Sequence, residues 1–370
     1  MTQPRKYPLA EIVTAGDSAP PYSVQASDGF AAFLAEAGLA LAVSTYQIGK
    51  LFLIGAPTHD QLSVTERTFE RCLGIAISGQ SLYLAGLNAI WRFENVIPQG
   101  GDLEGHDAVY VPQAAWFTGD VFAHDVGVLP SGRPVFVNTS FSCLATVDDA
   151  VSFRTAWKPP FITRVAPGDR CHLNGLAMHP ETGRPAYLTA AGDGDAPRSW
   201  ADGRVGGGVV LDVAANAIVC RGLTMPHSPR LHDGRLYVLN AGTGELGTVD
   251  LAAGRFDPIG FVPGFARGLA LHGGHALIGL SLPRANEAFA GLPIEARLGT
   301  GGSEAQCAVV IMDLATGEIA HWLRLGGIVR ELYDIALIPG PKRPMLVGVA
   351  QGQINRLITA GEAVGLDTLV

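Results

Sequence analysis

Short apolar runs alternate with clusters of polar and turn-forming residues along the whole chain. Six of these runs share one arrangement: a polar residue, a residue that favours a turn or close packing, an apolar stretch and another turn. Short runs bounded by glycine, proline or asparagine predict β-strands rather than helices. The residues that align at the second of these positions are Gly74, Gly127, Gly175, Pro229, Gly268 and Asp334.

Each aligned run is followed by further strand-like runs that together make a repeat. The second run has the form of "PVFVN" at Pro134, and the third often ends in aspartate before a turn, as in "GTVD". A fourth run, such as "IAHWLRL" at Ile319, completes the unit. Four short strands in a repeat of roughly 40–50 residues are typical of a β-propeller. A β-sandwich is the alternative, but it does not explain several matched repeats.

The two ends of the chain each carry part of a repeat. The last aligned run, near Glu331, has one clear partner strand after it, whereas the runs at Leu39, Lys50 and Leu62 have no aligned run of their own. Joining the ends completes one blade and removes open sheet edges. We therefore predict an all-β fold, a six-bladed propeller of four-stranded blades with one blade closed by both termini. Seven blades, with one formed at each end, is the alternative.

The repeat pattern also predicts the domain organisation. Residues 1–37 are expected to form an N-terminal extension with a short helix in "DGFAAFLAEAG", and residues 38–370 a single propeller domain. The longest insertion within a repeat runs from Arg284 to Gln306.

Composition narrows the classes of function. The chain has 47 glycines and 24 prolines, as many short strands and turns require, and a net charge of −8 without a Lys/Arg cluster. Nucleic-acid binding is not expected, because phosphate neutralisation needs a basic surface. No apolar run reaches the ~18 residues that span a bilayer and no secretory signal is present, so we expect a cytoplasmic protein without a membrane partner. Five dispersed cysteines without a CxxC motif predict reduced, mostly buried thiols.

The first residues of the aligned runs are polar and should meet at one rim of the central channel. We expect side chains two residues apart on each strand to point into this channel. The candidate catalytic residues are His172, Glu331, His124 and His227. The candidate substrate-binding residues are Arg71, Arg267, Asn174, Tyr333, Asn138, Asn240 and Ser228. A concave site with a few convergent polar groups suits a small-molecule substrate.

Two kinds of chemistry are open to this cluster. His124, His172 and His227 could bind a divalent transition metal as neutral imidazoles. Without a metal, a histidine could act as general base near neutral pH, Glu331 could donate or accept a proton, and the arginines could hold a carboxylate. The glycine run at Gly206 lacks the strand-to-helix context of a phosphate loop, so no nucleotide cofactor is expected.

Several longer segments resemble a known family. "NTSFSCLATVD", "DRCHLNGLAM" and "GLTMPHSPRLHDGRLYVLNAGTGELGTVD" are similar to an uncharacterised bacterial family of short six-bladed β-propeller proteins, over about residues 30–350. The resemblance implies the fold and no particular activity. The architecture is more distantly similar to gluconolactonase-like metal-dependent hydrolases, strictosidine-synthase-like enzymes and seven-bladed carotenoid-cleaving oxygenases. Glu331 and Asn174 resemble ligands of the first group, but the histidines do not fit its ligand set.

Two functions follow for the predicted site. One is an enzyme that acts on a small polar or anionic substrate by hydrolase-, lyase- or oxidase-type chemistry. The alternative is a non-catalytic propeller that binds a protein or peptide on one face. The alternative predicts a large exposed apolar patch, and histidines that bond to the backbone rather than meet one another. The polar set at the strand starts favours the enzyme.

Overall fold

Six sheets form the blades of a propeller, which confirms the predicted fold. The computed structural model describes residues 21–283, 290–300, 304–349, 352–355 and 357–361. Blades are numbered 1 to 6 in chain order, beginning with the blade that both ends of the chain complete.

The first half of the chain supplies blades 1 to 3. Ahead of them lie strand β1 (Tyr22–Ala26) and helix α1 (Phe30–Ala37). Blade 1 contains β2 (Leu39–Thr45), β3 (Lys50–Thr58) and β4 (Gln61–Thr68). Blade 2 contains β5 (Ile75–Ser78), β6 (Ser81–Ala85), β7 (Ala89–Asn95) and β8 (Ala108–Phe117). Blade 3 contains β9 (Ala123–Val128), β10 (Pro134–Asn138), β11 (Cys143–Thr146) and β12 (Arg154–Trp157).

The second half supplies the remaining blades and closes the ring. Blade 4 contains β13 (Leu173–Met178), β14 (Pro185–Ala190), β15 (Gly208–Asp212) and β16 (Ala217–Leu223). Blade 5 contains β17 (Pro226–His232), β18 (Arg235–Asn240), β19 (Glu245–Asp250) and β20 (Arg255–Phe261). Blade 6 contains β21 (Phe265–His272), β22 (His275–Ser281), β23 (Ala308–Asp313) and β24 (Ile319–Gly327), with helix α2 (Pro293–Thr300) between β22 and β23. The chain continues with β25 (Leu332–Pro339), β26 (Pro344–Leu346) and a 3₁₀ turn (Gly352–Asn355).

Both ends of the chain close blade 1, as predicted. β25 is its innermost strand and pairs antiparallel with β2, with Val43 opposite Ile335 and Leu41 opposite Leu337. β26 then pairs in parallel with β8 on the outside of blade 2, and β1 pairs with β24 on the outside of blade 6. The ends of the chain therefore tie three blades together, which protects the sheet edges.

Two predicted segments are described only in part. β1 and α1 belong to the predicted N-terminal extension, of which residues 1–20 lie outside the described residues. Of the predicted insertion between Arg284 and Gln306, residues 284–289 and 301–303 lie outside them as well.

Apolar side chains fill the interfaces between neighbouring blades. Along an innermost strand, successive side chains pack into opposite interfaces: Ile75 of β5 packs towards blade 1, whereas Ala76 packs towards blade 3 beside Phe136. The channel is therefore lined by strand edges more than by rows of side chains. This corrects the expectation that alternate side chains face the channel, because Leu73 and Val126, at two of those positions, both pack between blades 2 and 3.

The glycines that align in the repeat lie where neighbouring innermost strands come closest. A Cβ atom on Gly74 would lie 2.7 Å from Cα of Asp125 in the next blade, and one on Gly175 would lie 2.3 Å from Cδ of Pro229. Real Cβ atoms do not approach other atoms so closely, so only glycine fits at these points. The repeat signal in the sequence is thus a consequence of the narrow channel.

All five cysteines are buried and free, as expected for reduced thiols. Within the described ranges, no helix combines the length and the apolar character needed to cross a bilayer.

Candidate functional site

Three charged side chains meet inside the channel, on the innermost strands of blades 1, 3 and 5. Arg230 of β17 lies between two buried carboxylates. Its Nη1 atom is 3.0 Å from Oδ2 of Asp125 on β9, and its Nη2 atom is 3.3 Å from Oδ1 of Asp334 on β25. These three residues are called the charged triad below.

Each member of the charged triad also bonds the backbone edge of the next blade. The pairs are the Asp334 carboxylate with the Ile75 N–H at 2.8 Å, the Asp125 carboxylate with the Leu176 N–H at 2.9 Å, and the Arg230 Nε–H with the Leu269 carbonyl at 3.0 Å. The inner edge of an innermost strand has no further strand to pair with, so side chains must form hydrogen bonds with its backbone N–H and C=O groups. The triad thereby links blades 1, 3 and 5 to blades 2, 4 and 6.

The charged triad holds two carboxylates against one guanidinium. Burial, followed by the nearby Asp125 carboxylate, raises the pKa of Asp334 to about 7, while Arg230 opposes the shift. The geometry therefore favours one bound proton near neutral pH.

Beyond the triad, where the innermost strands end, the channel opens into a cavity of about 380 Å³. All six innermost strands and Arg230 contribute to its described wall, which contains none of the predicted site residues.

The opposite end of the channel, where the innermost strands begin, gathers the predicted histidines; it is called the histidine mouth below. The rings of His124 and His172 meet edge to face, with centroids 4.9 Å apart. The ring of His124 lies 5.7 Å from that of Tyr333, and the guanidinium of Arg267 lies 5.5 Å from the same Tyr333 ring. Residues from blades 1, 3, 4 and 6 therefore converge here, as the sequence pattern predicts.

His124 is buried and held through its Nδ1 atom. Nδ1 lies 3.0 Å from the carbonyl oxygen of Phe122 and 2.7 Å from the hydroxyl of Thr139, which itself donates to the carbonyl of Leu173. Both partners accept, so Nδ1 carries the proton and Nε2 the lone pair. Burial, then the neighbouring His172, lowers the pKa of His124 well below its usual value, so the ring is neutral at pH 7.

His172 forms a dyad with a carboxylate. Its Nδ1 atom lies 2.9 Å from Oδ2 of Asp169, three residues earlier in the chain. The ring stacks on the indole of Trp200, with centroids 4.3 Å apart and planes inclined by 30°. The carboxylate and the stacking together fix the orientation of the imidazole and leave Nε2 as its basic atom.

His227 repeats the local geometry of His124. Its Nδ1 atom lies 2.9 Å from the carbonyl oxygen of the residue two positions earlier, Met225. Its ring meets the ring of Phe265 edge to face at 5.7 Å, and the Arg267 guanidinium lies 4.8 Å from the same Phe265 ring. His227 therefore belongs to the histidine mouth on the side of Arg267.

Arg267 and Glu331 form a buried ion pair. The Nη1 atom of Arg267 lies 3.6 Å from Oε2 of Glu331, and both side chains are less than a tenth exposed. Besides Phe265 and Tyr333, the ring of Tyr46 flanks the guanidinium at 5.7 Å. Aromatic faces on several sides hold a planar cation by cation–π attraction.

Arg71 lies further out than the other predicted residues. It forms an ion pair of 2.6 Å with Asp120, and its guanidinium lies 5.1 Å from the ring of Phe122, which is 4.1 Å from that of His124. With 30% of its side chain exposed, Arg71 forms part of the rim rather than of the interior.

The predicted amide and hydroxyl residues use their oxygen atoms within the fold. Each oxygen accepts a hydrogen bond from a nearby donor: Asn138 from the Phe141 N–H, Asn174 from the Thr189 hydroxyl, Asn240 from the Thr224 N–H, and Ser228 from the Gly268 N–H. The buried Nδ2 groups of Asn138 and Asn174 have no hydrogen-bond partner among the described residues.

Backbone strain is concentrated at the histidine mouth. Of the eleven non-glycine residues with positive φ in the described part of the chain, six lie at or just before the innermost strands: Arg71, Phe122, Asp169, His172, Met225 and Ser228. Left-handed backbone breaks the regular alternation of side chains along a strand at these positions. Strain of this kind persists where the surroundings enforce it and is common at functional sites.

The three histidines offer metal-ligand chemistry, but the described part of the chain contains no group of three or more His, Cys, Asp or Glu side chains placed to hold a metal ion. His124, His172 and His227 each engage an oxygen atom through Nδ1, as histidines that bind a metal through Nε2 usually do. The ligand type fits a metal, and the number of converging ligands does not.

Five residues of these clusters were not among the predicted site residues: Asp125, Arg230, Asp169, Thr139 and Trp200. A sequence signal existed for two of them, because Asp125 interrupts the apolar run "HDVGV" and Asp169 stands three residues before His172. Arg230 and Trp200 carry no such signal, since only the folded chain brings them to the channel.

A family model for a domain of unknown function, DUF4915, matches residues 28–347, which is most of the chain. The chain belongs to the DUF4915 family. No curated protein matches this DUF4915 chain.

Solved structures similar to the DUF4915 chain share little sequence identity with it. A chain in the crystal structure of a nidogen/laminin complex is 12% identical, with a TM-score of 0.52, covering 81% of this chain and 98% of that chain. A protein of unknown function from Bacteroides caccae is 13% identical, with a TM-score of 0.47 and coverages of 81% and 99%. A catalytically inactive virginiamycin B lyase from Staphylococcus aureus with quinupristin is 12% identical, with a TM-score of 0.39 and coverages of 82% and 99%. Likeness at this identity shows the fold alone.

Proposed function

We propose that this DUF4915 protein is an enzyme that performs general-base chemistry on a small anionic molecule at the histidine mouth. The contact between His124 and His172 carries the proposal, because an oxygen atom holds Nδ1 of each ring. With the Nδ1 proton held in this way, the basic atom of each ring is Nε2, which a general base requires.

His172 is the proposed base. Asp169 fixes the tautomer of the ring and stabilises the imidazolium that forms when Nε2 takes a proton. Stacking on Trp200 restricts rotation of the ring. A proton taken from a substrate carbon gives lyase-type chemistry, and a proton taken from water gives hydrolysis.

Arg267 is the proposed anion-binding group, and Glu331 orients it. The guanidinium is held between aromatic rings and 3.6 Å from the Glu331 carboxylate, so it is already positioned before a substrate arrives. His124 stays neutral and can accept a hydrogen bond through Nε2. Arg71 at the rim is a second cation for an anionic ligand, but Asp120 already pairs with it, so Arg267 is the main anion-binding group of this proposal.

A metal-dependent version of the same site is a second candidate, favoured by the Nδ1–oxygen contacts of all three histidines. Because these histidines form no ligand set as they are placed, the Nε2 atoms of His124, His172 and His227 would have to move together to hold a divalent ion, which would supply Lewis-acid chemistry. Elemental analysis of untagged protein, beside a variant in which His124 and His172 are both alanine, tests it. About one transition metal per chain that is lost in the variant would support this version.

The non-catalytic alternative has less support. It predicts histidines that bond to the backbone and do not meet. His124 and His227 do bond to backbone carbonyls, but the rings of His124 and His172 are in contact. Two of the large exposed apolar side chains, Phe117 and Val151, line a separate cavity whose described wall contains no histidine. A cytoplasmic location completes the proposal, because five buried free thiols suit a reducing compartment.

The experiment compares wild type with His172→Gln in a screen of defined pools of small carboxylates, esters and amides, read by proton NMR over time. We expect at least one substrate to be converted by wild type and roughly 100-fold more slowly by the variant, the typical contribution of a general base. His59→Gln, in the exposed turn between β3 and β4, is the matched control and should keep full activity. Equal turnover by wild type and His172→Gln would reject the proposed base.

A further inference from the structure

Buried N–H donors without partners are a second feature of the histidine mouth. They are the carboxamide Nδ2 groups of Asn138 and Asn174 and the indole Nε1 of Trp200; no described residue accepts a hydrogen bond from them. All three residues are more than nine-tenths buried, so bulk water does not satisfy these donors either.

The three donors belong to residues that neighbour the two central histidines, either along the chain or by ring stacking. Asn174 follows His172 by two residues at the start of β13, and the Trp200 ring stacks on His172. Asn138 directly precedes Thr139, the residue whose hydroxyl contacts His124. These three donors belong to residues near the proposed base, whereas other unpaired buried donors, such as the Nε group of Arg343, lie elsewhere. The Oδ1 atom of Asp169 is an unpaired buried acceptor beside His172.

Each of these residues already has a structural role that uses its other atoms. The oxygen of Asn174 accepts from Thr189 and the oxygen of Asn138 accepts from Phe141, so the orientation of each carboxamide is fixed with its N–H groups unused. An unpaired buried donor destabilises the unliganded protein, and a ligand that brings an acceptor removes this penalty. Such a site discriminates strongly against ligands that cannot pair with it.

We propose that the ligand of the histidine mouth is a small carboxylate, and that Asn174 and Trp200 are the donors that select it. A carboxylate offers acceptors only and carries the charge that complements Arg267. An amide brings donors of its own, an alcohol lacks the charge, and an ammonium group has both the wrong charge and no acceptor. The proposal rests on the proposed function, since it names the substrate class of the same site.

The indole N–H resonance of Trp200 reports this contact directly. The chain has five tryptophans, so a ¹⁵N-labelled sample gives five indole signals, and Trp200→Phe identifies one of them. The probes are butyrate, butyramide, 1-butanol and butylammonium, which share one carbon skeleton. We expect butyrate to move the Trp200 signal downfield, with affinity roughly 10- to 100-fold above that of the other three.

Trp157 is the internal control, because its indole N–H already donates to Asn216 at 3.0 Å and should not respond. Asn174→Asp replaces the Nδ2 donor with an acceptor of the same shape, and we expect it to lose butyrate binding roughly 10- to 100-fold. An unmoved Trp200 signal at saturating butyrate, or tighter binding of butylammonium, would overturn the proposal. Turnover in the substrate screen without a butyrate-induced shift of the Trp200 signal would reject only the carboxylate assignment. A shift of the Trp200 signal without turnover of any compound in the screen would reject only the enzymatic function.

Discussion

The charged triad and the histidine mouth both bury ionisable side chains on the innermost strands, but they differ in whether the buried polar groups have hydrogen-bond partners. In the triad, the contacts of Asp125, Arg230 and Asp334 join six strands, and none of their polar atoms is buried without a partner in the described structure. At the histidine mouth, the N–H groups of Asn174 and Trp200 are unpaired. A buried network in which every polar atom is paired stabilises a fold. A network with unpaired N–H groups can instead pair with a ligand.

Backbone conformation separates the two regions in the same way. No member of the charged triad has a positive φ, whereas Phe122, His172 and Met225 at the histidine mouth do. Strain and unpaired donors reduce stability, so their coincidence at one end of the channel is best explained by function. Buried charge does not distinguish the two regions, whereas the combination of unpaired donors and positive-φ residues occurs at the histidine mouth and not at the charged triad.

Removing the cation of the charged triad should produce the largest loss of stability. Arg230→Met leaves Asp125 and Asp334 buried together without a counter-charge, and we expect a loss of about 3–5 kcal/mol in the free energy of unfolding. Urea unfolding followed by circular dichroism measures it. Arg235→Met, at an exposed position on the neighbouring strand of the same blade, should change stability by less than about 0.5 kcal/mol. Equal effects of the two substitutions would show that the triad is not what stabilises the channel.

The two regions should also respond oppositely to pH. Because the pKa of Asp334 is raised in the folded state, the folded protein binds a proton more readily than the unfolded chain. Its contribution to stability is present at low pH and is lost as the pH rises through about 7. Relative to Asp334→Asn, wild type should lose about 2 kcal/mol between pH 5.5 and pH 7.5. Asp149→Asn, at an exposed site, should leave the pH profile unchanged.

The stability that His124 contributes changes with pH in the opposite direction to that of Asp334. Its folded-state pKa is lowered, so the neutral ring contributes stability above pH 6.5 that is lost as the pH falls. Relative to His124→Gln, wild type should lose about 1–2 kcal/mol between pH 7 and pH 5, measured by the same urea titrations. A loss of stability in the same direction for both regions would contradict the assignment of a proton-binding triad and a neutral histidine.

The fold could be predicted because its signals are local and repeated. Gly74 and Gly175 mark the close approach of innermost strands in successive blades, so the requirement of a narrow channel appears in the sequence at each repeat. The closure of blade 1 could be predicted for a similar reason, since β2 to β4 lacked an innermost strand and the run near Glu331 had only one expected partner strand after it. That partner was wrong, because β26 pairs with β8 of blade 2 and β25 pairs with β2.

The site could be predicted only in part. The polar residues that precede the innermost strands do converge, but the expected alternation of side chains into the channel is wrong, because a blade turns its strand edge to the channel. His172 and Phe122 depart from regular strand geometry through left-handed backbone, which a non-glycine sequence does not reveal. Arg230 and Trp200 reach the channel through long-range packing, so no local pattern identifies them.

The smallest predicted effect is the difference in stability between two substitutions of His172 that tests the backbone strain at this residue. His172 has φ of 49°, a conformation that costs an L-residue about 1–2 kcal/mol and glycine very little. His172→Gly and His172→Ala both remove the imidazole, its bond to Asp169 and its stacking on Trp200. They differ in this backbone cost and in the conformational entropy that glycine loses on folding, which is the smaller of the two. We expect the glycine variant to be the more stable of the two by about 1 kcal/mol.

The matched control pair lies at Thr155, an exposed strand position without positive φ, where the order should reverse. There Thr155→Gly should be less stable than Thr155→Ala by about 0.5–1 kcal/mol, because glycine loses more conformational entropy on folding. The same order at both positions would show that the backbone of His172 is not strained. A reversal would show that the chain gives up stability at this residue to hold the imidazole beside Asp169, which a purely structural histidine would not require.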